Sequence, residues 1–228
     1  ETLGVREISV YDDNFSLHRQ RAMDVAQGLV DRKIRVKLQF TNGLEACRLD
    51  RELIFKLRDA GTWFMAVAPE TGDAESFRRI KKGFQLQRAR EVVAWCKEAG
   101  IRTYAFFIVG FPWETEDHLR HTTDFALELD TDMVQFSRLL AFPKTEVYEQ
   151  LVESGMPPFD PMKDRALFSG EIGHQVSRLT HEVVLRHLKR GYRRFYLRPR
   201  KAANLFRLMR PRDVLELARY ALLTGNLY

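Results

Sequence analysis

Cysteine is scarce in this chain: Cys47 and Cys96 are the only two among 228 residues. Two thiols cannot form a disulfide framework in so long a chain, and their separation matches no zinc or iron–sulfur ligand spacing, so the residues present assign no metal site. Long apolar runs are missing as well. No segment approaches the roughly 20 residues that cross a bilayer, and none has the charged, apolar and small-residue order of a signal peptide. A cytoplasmic location is the default expectation. The chain also lacks an initiator methionine, and Glu1-Thr2-Leu3-Gly4 reads as the last turn of a helix with its glycine stop. It is therefore expected to start inside a longer protein.

What is present suffices for one or two globular domains with a full core, since 45% of the residues are hydrophobic and 11% aromatic. The formal charge of +6 is unevenly spread: residues 1–185 carry 25 basic against 29 acidic side chains, and residues 186–228 carry 12 against 2. Between Arg186 and Arg212 there is no acid at all.

Five runs rich in β-branched and aromatic residues recur along the chain, at residues 7–11, 34–41, 63–68, 102–109 and 133–140. Helical patterns separate them. Ala22, Met23, Ala26, Leu29 and Val30 form one apolar stripe; Leu53, Ile54 and Leu57 form a second between an Asp50 N-cap and Gly61; Leu86, Ala89, Val92, Val93 and Cys96 form a third that ends at Gly100; and Leu119, Thr122, Ala126 and Leu129 form a fourth after a Thr115 N-cap. Strand and helix alternating at this period predict an α/β chain built of βαβ units on a parallel sheet. An open doubly wound sheet would bury both faces of its central strands. Here Gln39, Thr41, Glu70, Gln135 and Ser137 fall on one parity, so a partial parallel βα barrel with an occupied polar lumen is expected over residues 1–155. The segment 156–161, rich in proline, then opens a basic helical extension, residues 156–228, with apolar stripes through Leu179, Val183, Val184, Leu188 and Tyr192 and through Leu205, Phe206 and Met209, and a last helix starting at Pro211.

Ligands of a parallel barrel sit where the strands end, because loops converge there and helix N-termini present free N–H groups. The first strand ends in Tyr11-Asp12-Asp13-Asn14-Phe15, two carboxylates and an amide able to receive an ammonium or ribose hydroxyls. The alternative is that Asp12 ends a strand and Asp13 or Asn14 caps a helix. Glu70 shares parity with Phe64, Ala66 and Ala68, and a carboxylate facing the lumen needs a ligand or a basic partner. After the fourth strand, Ile108 offers an apolar surface, Gly110 allows a flat ring to approach the backbone, and Pro112 fixes the turn. His118 and His121 stand at i, i+3 without an evident third ligand and read as a solvated pair.

Taken together, Asp12-Asp13-Asn14-Phe15, Pro69-Glu70-Thr71-Gly72, Lys81 or Lys82, the run from Gly110 to Thr115, and the run from Phe142 to Tyr148 resemble the radical S-adenosylmethionine (SAM) superfamily, and within it the cobalamin-binding type. The segment from Tyr192 to Pro199 resembles that type's C-terminal extension. The resemblance implies a six-stranded partial barrel whose first strand, absent here, leads into a Cys-x3-Cys-x2-Cys loop holding a 4Fe-4S cluster. Cys47 and Cys96 cannot replace that loop, so the chain alone is expected to be inactive and the enzyme is its parent protein. Further implied are SAM contacts by Asp12, Asp13 and Asn14 to the methionine ammonium, by Glu70 to ribose or amino group, and by Ile108, Val109, Gly110, Phe111 and Pro112 to adenine, with Gln39 and Ser137 as further lumen groups. No side chain is assigned as acid or base. The expected activity is reductive cleavage of SAM and radical modification of an unactivated carbon in a small-molecule or lipid-like substrate, with a reductant protein as partner and cobalamin-dependent methyl transfer, through an upstream domain, as the specific form. One departure is the lack of Gly-Gly-Glu after the first strand present here.

The basic block from Arg186 to Arg212, interleaved with Tyr192, Phe195 and Tyr196, leaves three readings open: docking on the acidic barrel, association with an anionic membrane surface, and, least favoured, binding of nucleic acid. The rival to the enzyme is a non-catalytic βα module whose basic extension binds anionic membrane or RNA.

Overall fold

The computed structural model describes residues 4–12, 14–82, 86–155 and 177–208. Five strands, β1 (Glu7–Val10), β2 (Lys37–Leu44), β3 (Thr62–Glu70), β4 (Arg102–Val109) and β5 (Met133–Arg138), form one sheet in the order β1-β2-β3-β4-β5, every pair parallel. Helices fill the crossovers: α1 (Arg19–Asp31), α2 (Arg51–Asp59), α3 (Ala74–Arg79), α4 (Leu86–Glu98) and α5 (Glu116–Leu129). Sequential parallel order with helical crossovers is the partial βα barrel that the polar parity implied. After β5 come α6 (Glu146–Glu153), α7 (His181–Tyr196) and α8 (Pro199–Leu208).

The caps act where the sequence places them. Asp50 accepts the Leu53 N–H at 2.8 Å and opens α2, while Thr115 opens α5 in a capping box completed by His118. The second strand runs to Leu44 rather than Thr41, because its register to β3 shifts between Phe40 and Leu44 and Gly43 takes φ +85°. Two short helices, α3 and α6, were not expected; six and eight residues are too few for a clear apolar period. The expected linker at 156–161 and the helix from Pro211 lie outside the described residues.

Burial separates the two faces of the sheet. Along β4, Thr103, Ala105, Phe107 and Val109 are buried under helices, while Tyr104, Phe106 and Ile108 on the other face are only half-buried. Leu38, Phe40, Met65, Val67, Val134 and Phe136 join the helix-side core with Leu53, Ile54, Leu57, Val92 and Phe125. The concave face therefore points to a lumen.

The extension docks on the outer edge of the sheet. Tyr192 and Tyr196, one turn apart on α7, bring their hydroxyls to β5: Tyr192 Oη accepts the Phe136 N–H at 2.9 Å and donates to the Phe136 carbonyl at 3.1 Å, and Tyr196 Oη does the same for Val134 at 3.0 and 2.9 Å. Alternate residues of an edge strand leave both groups unpaired, and the two tyrosines supply what a sixth strand would. Gly191 allows the approach, since a Cβ there would lie 3.3 Å from the Phe136 ring. Phe195, fully buried, joins the main core.

Part of the basic block is neutralised by this docking. Arg194 pairs with Asp124 at 2.7 Å, Arg186 and His187 with Glu116 at 3.5 and 2.9 Å, and Lys201 with Asp130 at 2.8 Å. Lys201 is 6% exposed and also donates to the Asp130 and Thr131 carbonyls. Docking on the chain's own acids, one of the three readings, is what these residues do. No described helix is long and apolar enough to cross a membrane.

Candidate cofactor site at the strand ends

All five strands point the same way, so their C-terminal ends share one edge of the sheet. The concave face leading to that edge is graded in size. Its lower part is an aromatic floor: Trp63 and Phe64 have ring centroids 5.5 Å apart, Phe64 and Tyr104 6.1 Å, and Tyr104 and Phe106 4.6 Å. Above Phe106 the side chains shrink to Ala68, Ile108 and Ser137, with Ile108 level with Ser137 in the β4–β5 register. Gly43 faces the same space. A Cβ there would meet the Ala68 Cβ at 3.3 Å and the Phe106 ring at 3.5 Å, so a side chain would press on both, and its φ of +85° disfavours one in any case.

Glu70 stands at the rim. Its φ is +69°, a conformation that costs a non-glycine residue on the order of 1–3 kcal/mol and concentrates at functional sites. It coincides with the register shift between Val67 and Glu70. The carboxylate meets Lys82 Nζ at 3.0 Å with side chains 21% and 29% exposed, a basic partner of the kind expected for it. Neighbouring Lys81 reaches Glu146 of α6 at 3.0 Å.

The first strand's end is satisfied internally. Asp12 Oδ1 accepts the Asn14 N–H at 2.9 Å, Asp12 Oδ2 meets Arg21 at 3.3 Å, and Asn14 Oδ1 accepts the Ser16 hydroxyl at 3.4 Å. Asp12 thus closes an Asx turn just past β1. Asp13 lies outside the described residues. Gln39 is paired with Phe64 in the register and so belongs to the floor rather than the rim.

Beyond β4, Ile108 lies on the concave face, but Val109 packs against Leu119 and Val184 on the helix side, and Phe111 is buried in a stack with Trp113 at 5.0 Å. Only the backbone of those two residues can meet a ligand on the concave side. Gly110 turns the chain with φ +90°.

The side chain that shapes this loop is one the sequence reasoning passed over. Glu114, 1% exposed, turns back so that Oε2 accepts the Gly110 N–H at 2.6 Å and the Phe111 N–H at 3.1 Å, while Oε1 accepts the Ser76 hydroxyl at 3.4 Å. Burial pushes its carboxyl up to about 7, against the pull of the two backbone donors. Four residues between a turn glycine and a carboxylate, just ahead of a helix cap, were the available signal. The two histidines are not simply solvated either. His121 Nδ1 lies 2.9 Å from Asp73, and His118, with Nδ1 accepting the Thr115 N–H, brings Nε2 to 3.3 Å from Glu75, so both tie α5 to α3.

The strand ends thus gather short side chains, Gly43, Ala68 and Ile108, beyond an aromatic floor, with Glu70, Ser137 and Thr41 as the polar groups of the strand ends. An iron–sulfur cluster does not suit this chain. Cys96 is fully buried with its thiol pushed up to about 12 by desolvation, burial also raises Cys47, and no group of three metal-ligating side chains occurs among the described residues.

Comparison with known proteins agrees with the fold. A profile of the radical SAM superfamily matches residues 1–126. An uncharacterized methyltransferase of Pyrococcus horikoshii is 25% identical over 197 residues, which cover 86% of this chain and 42% of the relative. The bacteriochlorophyllide d C-12(1)-methyltransferase of Chlorobaculum tepidum is 26% identical over 172 residues, covering 72% and 34%. The chain thus spans less than half the length of these curated relatives. Among solved structures, the radical SAM methyltransferase TsrM of Kitasatospora setae, with tryptophan and a SAM analogue bound, superposes with a TM-score of 0.62 at 23% identity over 69% of this chain and 32% of its own. Methylornithine synthase superposes at 0.52 with 16% identity, covering 81% and 48%. At these identities the structural likeness is one of fold.

Proposed function

The chain belongs to the radical SAM superfamily, and from that premise we propose that it is the SAM-holding part of an enzyme that modifies an unactivated carbon in a small-molecule or lipid-like substrate, with cobalamin-dependent methyl transfer as the specific reaction. The strand ends carry this reading: Gly43, Ala68, Ile108 and Ser137 leave the C-terminal end of this face lined by short side chains beyond Phe106, close to a glutamate held at φ +69°. Relatives named as methyltransferases support the specific form.

SAM supplies the chemistry, one-electron cleavage of its sulfonium with an electron from an external reductant protein. This chain's residues bind and orient. Ile108 and the backbone from Val109 to Pro112 support the adenine, while Gly43 and Ala68 leave room for it. Glu70 receives ribose hydroxyls or the amino group, exchanging Lys82 for them, and Asp12 and Asn14 edge the site at the first strand. The helix-side core and the aromatic floor exclude water from below. Since Cys47 and Cys96 do not suit a cluster, the reading requires three thiolates from outside this sequence, and no step is derived through them.

The rival, a βα module that binds through its basic extension, is weakened by the ion pairs that α7 and α8 make with α5 and its C-terminal Asp130. The experiment is anaerobic incubation of the full-length parent protein, reconstituted with iron and sulfide, with SAM and dithionite. Formation of 5'-deoxyadenosine or a methylated product supports the proposal; intact SAM in a preparation that carries its cluster refutes it.

A further inference from the structure

The docking of α7 on the sheet edge accounts for only part of the basic block, and the helix's outward face has a regular layout. Leu185, Lys189, Arg193 and the C-cap Leu197 follow one another at i, i+4, a row with a leucine at each end and two cations between. Arg186, Arg190 and Arg194 form the row beside it. Both rows border the same groove, where five cations stand against one acid, Glu182, among the described residues.

Two of the five are neutralised by α5, Arg186 by Glu116 and Arg194 by Asp124. Lys189, Arg190 and Arg193 are exposed and make no ion pair among the described residues. Like charges this close on one helix repel each other, so the face loses stability on its own and gains it from an anion that covers it.

The side chains that accompany the charge narrow what that anion is. Single-stranded nucleic acid is held by rings that stack on its bases. The rings of this helix are spent elsewhere: Tyr192 and Tyr196 bond to the edge of β5, and Phe195 lies in the core. The apolar group left outside is Leu197, 68% exposed at the end of its row. A phosphodiester backbone has no use for an exposed aliphatic chain, whereas the boundary between lipid headgroups and acyl tails receives one while lysine and arginine stay at the phosphates.

We propose that the outward face of α7 is a contact surface for an anionic phospholipid membrane, with Lys189, Arg190 and Arg193 at the headgroup phosphates and Leu197 inserted beside them. The inference is independent of the SAM reading. Docking on the barrel uses the other face of α7 and different cations, so both contacts hold at once. Three cations and one leucine make the attachment peripheral and reversible. Each cation near an anionic surface strengthens partitioning about fivefold, so three together give on the order of 100-fold, lost as salt screens them.

The test is co-sedimentation of the full-length protein with vesicles of phosphatidylcholine alone and of phosphatidylcholine mixed two to one with phosphatidylglycerol, at about 0.1 M and about 1 M salt. Wild type is compared with the triple variant Lys189→Gln, Arg190→Gln, Arg193→Gln and with Leu197→Ser, with thermal melts in parallel and a labelled single-stranded RNA as the competing ligand. Wild type should bind the anionic vesicles on the order of 100-fold more tightly than the neutral ones at the lower salt, and lose that preference at the higher. The triple variant should fall to the neutral-vesicle level with its melt unchanged, since none of the three side chains supports the fold. Leu197→Ser should bind several-fold more weakly. No binding of anionic vesicles by wild type, equal binding of both vesicles, or a triple variant that binds as wild type does overturns the proposal. RNA binding that the triple variant loses, without vesicle binding, overturns it in favour of nucleic acid, and vesicle binding indifferent to Leu197→Ser overturns the insertion. If the triple variant does not fold, Arg193→Gln alone carries the test: a loss of about fivefold supports the proposal and unchanged binding overturns it.

Discussion

Removing the Tyr192 and Tyr196 hydroxyls should loosen the outer edge of the sheet by an amount that the geometry sets. Each hydroxyl makes two bonds to β5, at 2.9 and 3.1 Å for Tyr192 and at 3.0 and 2.9 Å for Tyr196. A net hydrogen bond contributes about 0.5–1.5 kcal/mol, and a backbone group left unpaired in a partly buried site costs about 1–3 kcal/mol. Tyr→Phe at either position should therefore cost about 1–3 kcal/mol. The rings stay, and with them the edge-on contact of position 192 with Phe136 at 5.3 Å, so the loss isolates the hydroxyl. Both tyrosines anchor one helix, and the double variant is expected to lose less than the sum of the singles because the first loss already frees α7. Urea unfolding gives the energies, and hydrogen exchange at the Val134 and Phe136 amides gives the location. A double variant within about 0.5 kcal/mol of wild type, with unchanged exchange at those two amides, would refute the edge-capping argument.

Three further outcomes follow from the site. Gly43→Ala should weaken SAM binding by about tenfold or more in calorimetric titration, because the added Cβ presses on Ala68 and Phe106 and shifts the face that the proposal gives to the cofactor, whereas a stability loss of about 1–3 kcal/mol with unchanged affinity would assign the glycine to backbone strain alone. Glu114 has a folded-state pKa raised from 4.5 to about 7, so the folded state binds the extra proton and its contribution to stability falls as pH rises from about 4.5 to about 7, by on the order of 3 kcal/mol; urea midpoints across that window should show the fall, and Glu114→Gln should flatten it. Cys96, fully buried and with its thiol raised to about 12, should resist a thiol reagent in the native protein while Cys47 reacts, and simultaneous labelling of both without unfolding would contradict the packing under α4.

Much of the fold was legible because burial on one face imprints a period. The alternation in β4, from Arg102 to Val109, gives that strand's bounds to the residue, and Asp50 and Thr115 mark helix starts because a capping side chain must stand directly ahead of the turn it satisfies. The sequence marks Glu70 as an acid needing a basic partner, and that partner is a lysine the sequence reading singled out, but the register shift after Val67, which pairs Glu70 with Phe107, is not legible in the parity. Other parts rest on long-range partners that no local pattern encodes. Tyr192 reads as one more apolar position in a helical stripe, and its hydroxyl acquires a role only because the edge of β5, 56 residues away, arrives beside it. The basic block shows its sign in the sequence but not its acids, which lie on or just past α5 at Glu116, Asp124 and Asp130. Asp12 shows a further limit: its Oδ1 accepts the Asn14 N–H, a local turn that the sequence alone did not separate from a ligand contact.

The central claim is that the ends of β2, β3 and β4 form one cradle for the adenosine of SAM, and photo-crosslinking tests it most directly. The full-length protein is irradiated with an azido-adenine analogue of SAM, with unlabelled SAM as competitor, and the labelled peptides are mapped. Competed label within Phe107–Pro112 and in the peptides holding Gly43 or Ala68–Glu70 is the predicted result. Competed label confined to the outer helices, with those peptides untouched, would contradict the account.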